Sequence, residues 1–400
     1  MKKAYVIGTC DTKYEDLRFV KERIEAEGVP AVLVDVGTTV RVPGPGVDVS
    51  NRDVAACHPD RPGFLDSVRD RGQAVAEMGE ALAAFLLTRG DIGGVIGLGG
   101  SGGTSLVTRG MRSLPIGVPK LMVSTVASAN VAPYVGPNDI CMMYSVTDVA
   151  GINRISRVVL SNAANAVSGM VRGTVPSGED KPLVGMTMFG VTTPCVERVR
   201  HALAKEFDCL VFHATGTGGQ SMEKLVDSGL IPSVIDATTT EVCDLLMGGV
   251  FSAGEDRLGA IVRTRIPYVG SVGALDMVNF GAMETVPPHY RDRKLHVHNP
   301  QVTLMRTTPE ENAHMGKWIG EKLNRCEGPV RFLLPLNGVS LIDAPGQPFH
   351  WPEADAALFD SLERTVIQTN LRRLVRLPYN INHPEFADAL VANFRDITGH

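Results

Sequence analysis

The stretch AYVIGTCDTKYEDLRFVKERIEAEGVPAVLVD, residues 4–35, decides the fold. A β-branched run over residues 4–8 is followed by an amphipathic segment over 14–27, which Gly28 stops, and by a second apolar run over 31–35. Strand, helix and strand in that order make a βαβ opening, which predicts a parallel sheet.

Further along, residues 37–63 are rich in Gly, Pro and Asp without a period, an excursion ahead of a helix over 73–88. Strands are expected at 94–98, 120–124 and 140–144, and a long helix at 153–171. The polar stretch 173–182 carries two prolines and two glycines and reads as a linker, which divides the chain into domains 1–180 and 181–400. The pattern then restarts with a strand at 183–189 and a helix with Thr193 as N-cap and Pro194 at its first position. Strands at 210–214, 234–236, 330–334 and 374–377 alternate with helices at 308–324 and 353–370. Thr308 to Glu311 is a capping box. The expected architecture is α/β: two Rossmann-like domains with mainly parallel sheets and helices on both faces.

Composition narrows the partners. With 400 residues, 44% of them hydrophobic, the chain can build two cores. Its 39 basic and 44 acidic residues give a net charge of -5 without a basic run, which argues against nucleic acid. The 7 cysteines show no C-x-x-C pair and suit a reducing cytoplasm. Residues 4–7 are too short an apolar run for a signal peptide, and the uncharged residues 121–138 contain Pro133, Pro137 and Asn130, so no membrane span is expected.

Two segments echo each other. Residues 95–105, VIGLGGSGGTS, align without gaps to residues 211–221, VFHATGTGGQS. In the first, a strand ends in glycines where a helix begins, so main-chain N–H groups of Gly99, Gly100, Ser101, Gly102, Gly103 and Thr104 can converge on one anion. It is neither a Walker loop nor a G-x-G-x-x-G fingerprint, and a ligand-free tight turn is the competing reading. The turn Gly8 to Lys13 adds Thr9, Asp11 and Lys13 at a strand end, with Lys13 suited to phosphate and Asp11 to Mg²⁺ or a ribose hydroxyl. Alternatively Thr12 and Glu15 form only a capping box there. Ser124 and Thr125 end another strand and supply hydroxyls to the same rim.

In the second segment Gly216, Thr217, Gly218 and Gly219 form a second nest for an anionic substrate. His213 precedes it, Glu223 follows it, and Asp236 ends the next strand; these three are the candidate catalytic residues. Thr239 joins the substrate group, although Thr238 and Glu241 also stand at capping-box spacing. Residues 270–300 look aperiodic and polar, with His298 and Asn299 as further substrate contacts. His296 and His298 share one strand face, so a metal site there is a third possibility.

Taken together, the motifs GTCDTK (8–13), GLGGSGGTS (97–105), PKLMVST (119–125), VFHATGTGGQSME (211–223), DATTTE (236–241), GALDMVNFG (273–281) and LHVHNP (295–300) resemble the Tm-one-like ATP-binding domain family, named for the tomato mosaic virus resistance protein and also placed among uncharacterised protein families. The resemblance covers nearly the whole chain. It implies two α/β domains, ATP in the N-terminal one and a homodimer; the plant member's binding to a viral replication protein does not carry over. The expected function is an ATP-using enzyme of small-molecule metabolism with a second anionic substrate in an interdomain cleft. The alternatives are a nucleotide-regulated interaction module without turnover and a metal-dependent hydrolase or lyase.

Overall fold

The computed structural model describes residues 2–39, 42–176, 178 and 180–400. Ser177 and Glu179 of the expected linker lie outside the described residues, as do Val40 and Arg41 of the expected excursion. The chain divides into two units, Met1–Ser177 and Gly178–His400.

In the first unit the elements run β1 Lys3–Gly8, α1 Cys10–Ala26, β2 Ala31–Asp35, α2 Asn51–Ala55, α3 Arg71–Leu87, β3 Ile92–Gly99, α4 Ser101–Ser113, β4 Lys120–Ser124, α5 Ala132–Val135, β5 Ile140–Tyr144 and α6 Arg154–Arg172. All strand pairs are parallel, in the order β2-β1-β3-β4-β5. Because side chains alternate along a strand, β1 faces two cores. Ala4 and Val6 pack with Leu17 of α1 and Leu160 of α6. Tyr5 and Ile7 pack with Phe85 of α3 and Val107 of α4. Both sheet faces are thereby covered, which explains why these strands read as unbroken apolar runs.

The second unit runs β6 Leu183–Met188, α7 Thr193–Leu203, β7 Asp208–His213, α8 Thr217–Asp227, β8 Val234–Thr238, α9 Glu241–Met247, α10 Gly259–Thr264, β9 Tyr268–Gly273, β10 Met277–Phe280, β11 Leu295–Asn299, β12 Val302–Arg306, α11 Pro309–Asn324, β13 Val330–Pro335, α12 Pro352–Thr365, β14 Arg372–Leu377 and α13 Pro384–Thr398. Its main sheet is parallel in the order β14-β13-β9-β8-β6-β7. Helices α7 and α13 cover one face and α8 to α12 the other.

Several expectations are corrected. The stretch expected to be aperiodic, residues 270–300, holds most of a three-stranded antiparallel sheet, β10-β12-β11, in which short strands escape a periodicity search. Thr193 is already inside α7, whose N-cap is Thr192. Helix α1 starts at Cys10 and kinks at Lys13, so Thr12 is not its cap. No helix of the described residues is long and apolar enough to cross a membrane.

The echoed segments are not equivalent. Segment 95–105 is β3 entering α4, the middle of its sheet, whereas segment 211–221 is β7 entering α8, the edge of its own. In strand order the counterpart of β3 is β8.

The capping box of α11 is present: the Glu311 N–H donates to Thr308 Oγ1 at 3.3 Å, and the Thr308 N–H donates to Glu311 Oε2 at 2.8 Å. Thr308→Ala is expected to destabilise the protein by about 1 kcal/mol, read from its urea midpoint. An unchanged midpoint would remove this cap from the account.

Candidate functional site

In the strand order β2-β1-β3-β4-β5 the direction of winding reverses between β1 and β3, and open α/β sheets bind ligands beyond the strand ends at that reversal. A cleft of about 760 Å³ lies there, within the size range of ligand pockets. The N-cap and first turn of α1, just past the end of β1, contribute Thr9, Asp11, Thr12 and Lys13, and the start of α4 contributes Gly100, Ser101, Gly102 and Gly103.

The turn into α4 has one feature that sets its chemistry. Gly100 is the N-cap and has no side chain with which to accept from the helix. The Thr104 N–H returns to the Gly100 carbonyl at 2.8 Å, but the N–H groups of Ser101, Gly102 and Gly103 meet no acceptor among the described residues. A Cβ on Gly99 would sit 2.8 Å from the Gly103 carbonyl carbon and the Thr104 nitrogen, so the strand end and the helix start meet backbone to backbone. On Gly102 a Cβ would meet nothing within 4 Å.

Gly99, Thr104, Ser124 and Thr125 hold this turn from behind and do not line the cleft. Thr104 Oγ1 and Ser124 Oγ are 2.6 Å apart and fully buried, and the Thr125 N–H donates to the Gly99 carbonyl at 3.2 Å. Expected to bind a cofactor, the Thr104 and Ser124 hydroxyls are spent on each other. Lys13 Nζ donates to the Val149 carbonyl, which positions its ammonium at the cleft. Asp11 Oδ1 is shielded from solvent yet has no hydrogen-bond partner. An orphaned carboxylate oxygen beside an anion nest suits a Mg²⁺ ion or a ribose hydroxyl.

Sequence reasoning missed the cleft residues Thr38, Thr39, Arg69, Asp70, Arg71 and Asp148. The available signal was Asp70 as a helix N-cap, since a helix preceding a parallel strand must begin at this same sheet edge.

The second nest is filled by the chain itself. The N–H groups of Gly216 and Gly219 donate to Glu241 Oε1 at 2.8 and 3.0 Å. Gly216 adopts φ +82, and a Cβ on Gly218 or Gly219 would lie 1.8 Å from the His213 carbonyl oxygen or 2.1 Å from Glu241 Oε2. These glycines are dictated by packing, and Glu241 leaves the expected capping box with Thr238 to reach them. The amides expected to hold a substrate therefore hold a carboxylate; Thr217 sits exposed beside them.

Glu223, Asp236 and Glu241 all converge on Arg257, which is 2% exposed. Its Nε donates to Glu241 at 2.8 Å, Nη1 and Nη2 to Asp236 at 2.7 Å, and Nη1 to Glu223 at 3.3 Å. The Leu258 and Ala260 N–H groups complete Glu223, and the Tyr268 hydroxyl donates to Asp236 at 2.9 Å. Burial pushes the Glu223 and Glu241 carboxyls above their ordinary range, and the Arg257 charge pulls against it. The proposed catalytic trio is not assembled: its two acids are spent in this buried network, and His213 stands exposed against Phe189, ring centroids 5.5 Å apart. Thr239 is buried and donates to the Ser271 carbonyl at 3.0 Å. His298 and Asn299 are exposed on β11, and His296 packs edge-on to Phe349 at 6.1 Å. No group of three His, Cys, Asp or Glu side chains fit for a metal exists among the described residues, so no third ligand joins the two histidines.

The chain thus combines two Rossmann-like α/β units, the first with an open amide nest at its switch point. It belongs to the uncharacterised protein family UPF0261, whose N-terminal domain matches residues 2–176 and whose C-terminal domain matches residues 181–398. A UPF0261 protein of Rhizobium meliloti is 59% identical over 99% of both chains, and one of Clostridium tetani 48% identical over 97% of both. The ToMV resistance protein Tm-1 of Solanum lycopersicum is 46% identical over 99% of this chain, which spans 56% of that protein. Among solved structures, the UDP-GlcNAc 2-epimerase of Methanocaldococcus jannaschii aligns over 100% of this chain and 93% of its own, at 9% identity and a TM-score of 0.22.

The two nests make opposite forecasts for alanine. Gly219→Ala is expected to lower stability by about 1–3 kcal/mol because the new methyl displaces Glu241, whereas Gly102→Ala is expected to melt at or slightly above the wild-type midpoint. Equal melting of the two variants would contradict the contrast.

Proposed function

We infer that the first unit binds ATP with Mg²⁺ in the cleft between the β1 and β3 loops. The observation that carries this reading is the unmet set of N–H groups on Ser101, Gly102 and Gly103, facing a cleft wide enough for a nucleotide. The second nest, alike in sequence, receives a carboxylate from the chain; the first has no such plug among the described residues, which leaves it for an external anion.

Each residue then has a physical task. The α4 amides wrap one phosphate, the Lys13 ammonium offsets a neighbouring one, and Asp11 presents its free oxygen to Mg²⁺ or to a ribose hydroxyl. The bound metal supplies charge neutralisation along the phosphates. Gly100 and Gly102 keep side chains out of the space the phosphate needs. The name of the plant relative, a ToMV resistance protein, is compatible with ATP acting as an effector of an interaction surface. Glu241 in the Gly216–Gly219 nest favours that role over the ATP-using enzyme, because it removes the motif that argued for a second anionic substrate. A cytoplasmic location and a homodimer accompany the proposal, from cysteine usage and family resemblance respectively.

Calorimetry with ATP and Mg²⁺ on the wild type and on Gly102→Val tests the reading. The valine has room in the free protein, so melting is expected to stay within about 2 °C while ATP affinity falls about a hundredfold. Equal binding by both proteins would falsify the site. Steady release of ADP or AMP by the wild type would instead favour the enzyme.

A further inference from the structure

Beyond its glycine turn and Lys13, the cleft lining holds two arginines, set among the carboxylates of Asp11, Asp70 and Asp148. Arg69 and Arg71 flank Asp70, the N-cap of α3, and both line the cleft. Both are exposed, and neither makes an ion pair or a side-chain hydrogen bond among the described residues. Other arginines of the same unit are paired, Arg52 with Asp66, Arg61 with Glu77 and Arg109 with Glu80, while Arg154 and Arg157 at the start of α6 are exposed and make no side-chain hydrogen bond or ion pair among the described residues, and neither of these lines the cleft. Two acids of the lining each accept a main-chain N–H and keep their charge. Asp70 Oδ1 accepts the Gln73 N–H at 2.8 Å, and Asp148 Oδ1 accepts the Val149 N–H at 2.8 Å.

The placement follows from helix packing. Gly110 of α4 lies against Leu82 of α3, and Gly79 of α3 lies against Arg109 of α4, so the two helices run side by side with their starts together. Ala74 and Val75 of α3 and Gly103 and Leu106 of α4 share the cleft wall. The arginine pair therefore stands roughly one helix spacing, about 8–10 Å, from the open amides. That distance suits a row of phosphates, its near end on the amides and its far end on planar guanidinium forks.

Resting on the nucleotide reading above, we propose that Arg69 and Arg71 grip the terminal phosphates and make the cleft select nucleoside triphosphates and diphosphates over monophosphates. The pair is a specificity element: the α4 nest and Asp11 serve every nucleotide, and the arginines serve only the longer phosphate chains.

Titration calorimetry with AMP, ADP and ATP, each with Mg²⁺, on the wild type and on the double variant Arg69→Ala/Arg71→Ala tests this. The wild type is expected to bind ATP most tightly and AMP least. In the variant, ATP affinity is expected to fall about tenfold or more while AMP affinity changes less than about twofold. Equal losses for AMP and ATP, or no loss for either, overturn the specificity role alone, because nucleotide still binds. Failure of the wild type to bind any of the three overturns the nucleotide reading and this inference with it. Should the alanine pair melt early, Arg69→Lys/Arg71→Lys keeps the charge without the fork and is expected to narrow the gap between ATP and AMP; an unnarrowed gap overturns the proposal.

Discussion

Every helix starts with main-chain N–H groups that its own turns cannot satisfy, and the way α4 meets that requirement governs the site. Helix α3 takes an oxygen of Asp70, α6 takes Asn153 and α11 takes Thr308. Helix α4 has no such resource. Its cap is Gly100, two of its first three residues are glycine, and its nearest buried hydroxyls, Thr104 and Ser124, bond each other. The sequence thereby denies this turn an internal acceptor while packing it tightly from behind. A turn packed in this way with unmet donors would need little reorganisation to receive an anion, which is the physical basis of the proposed site.

The second unit meets the same requirement in the opposite way. Glu241 opens α9, yet its carboxylate crosses to the start of α8 and also accepts from Arg257. Arg257 in turn gathers Glu223 and Asp236 in a buried cluster whose charges are hydrogen-bonded on several sides. Such a cluster holds only while its members stay paired, since an orphaned buried charge costs several kcal/mol. The sequence features that suggested catalysis there, acids at strand ends beside a glycine nest, are explained by this mutual satisfaction.

The parallel strands and most helices were legible because a doubly covered sheet demands continuous apolar runs, as in residues 4–8 and 94–98, and because capping residues such as Thr308 announce helix starts. The three-stranded antiparallel sheet was not, since β10 has only four residues and β11 is mostly polar. At the site, Thr9, Asp11, Lys13 and the glycine turn were legible from strand-end position. Arg69 and Arg71 were not, because they reach the cleft from a segment far along the chain that no local pattern ties to β1 or β3. The likeness of residues 95–105 to 211–221 misled for a related reason: a glycine-rich turn specifies close backbone approach, and only a distant residue such as Glu241 decides whether its amides are already used.

Relatives from Rhizobium meliloti and Clostridium tetani align over 99% and 97% of this chain and of their own, so each alignment spans both units. The central claim is that the amides at the start of α4 accept an external anion and those at the start of α8 do not. Residue-resolved amide hydrogen exchange with and without ATP and Mg²⁺ measures this directly. The account predicts added protection at Ser101, Gly102 and Gly103 with Gly216 and Gly219 unchanged; protection gained at Gly216 and Gly219, or at neither nest, would contradict it.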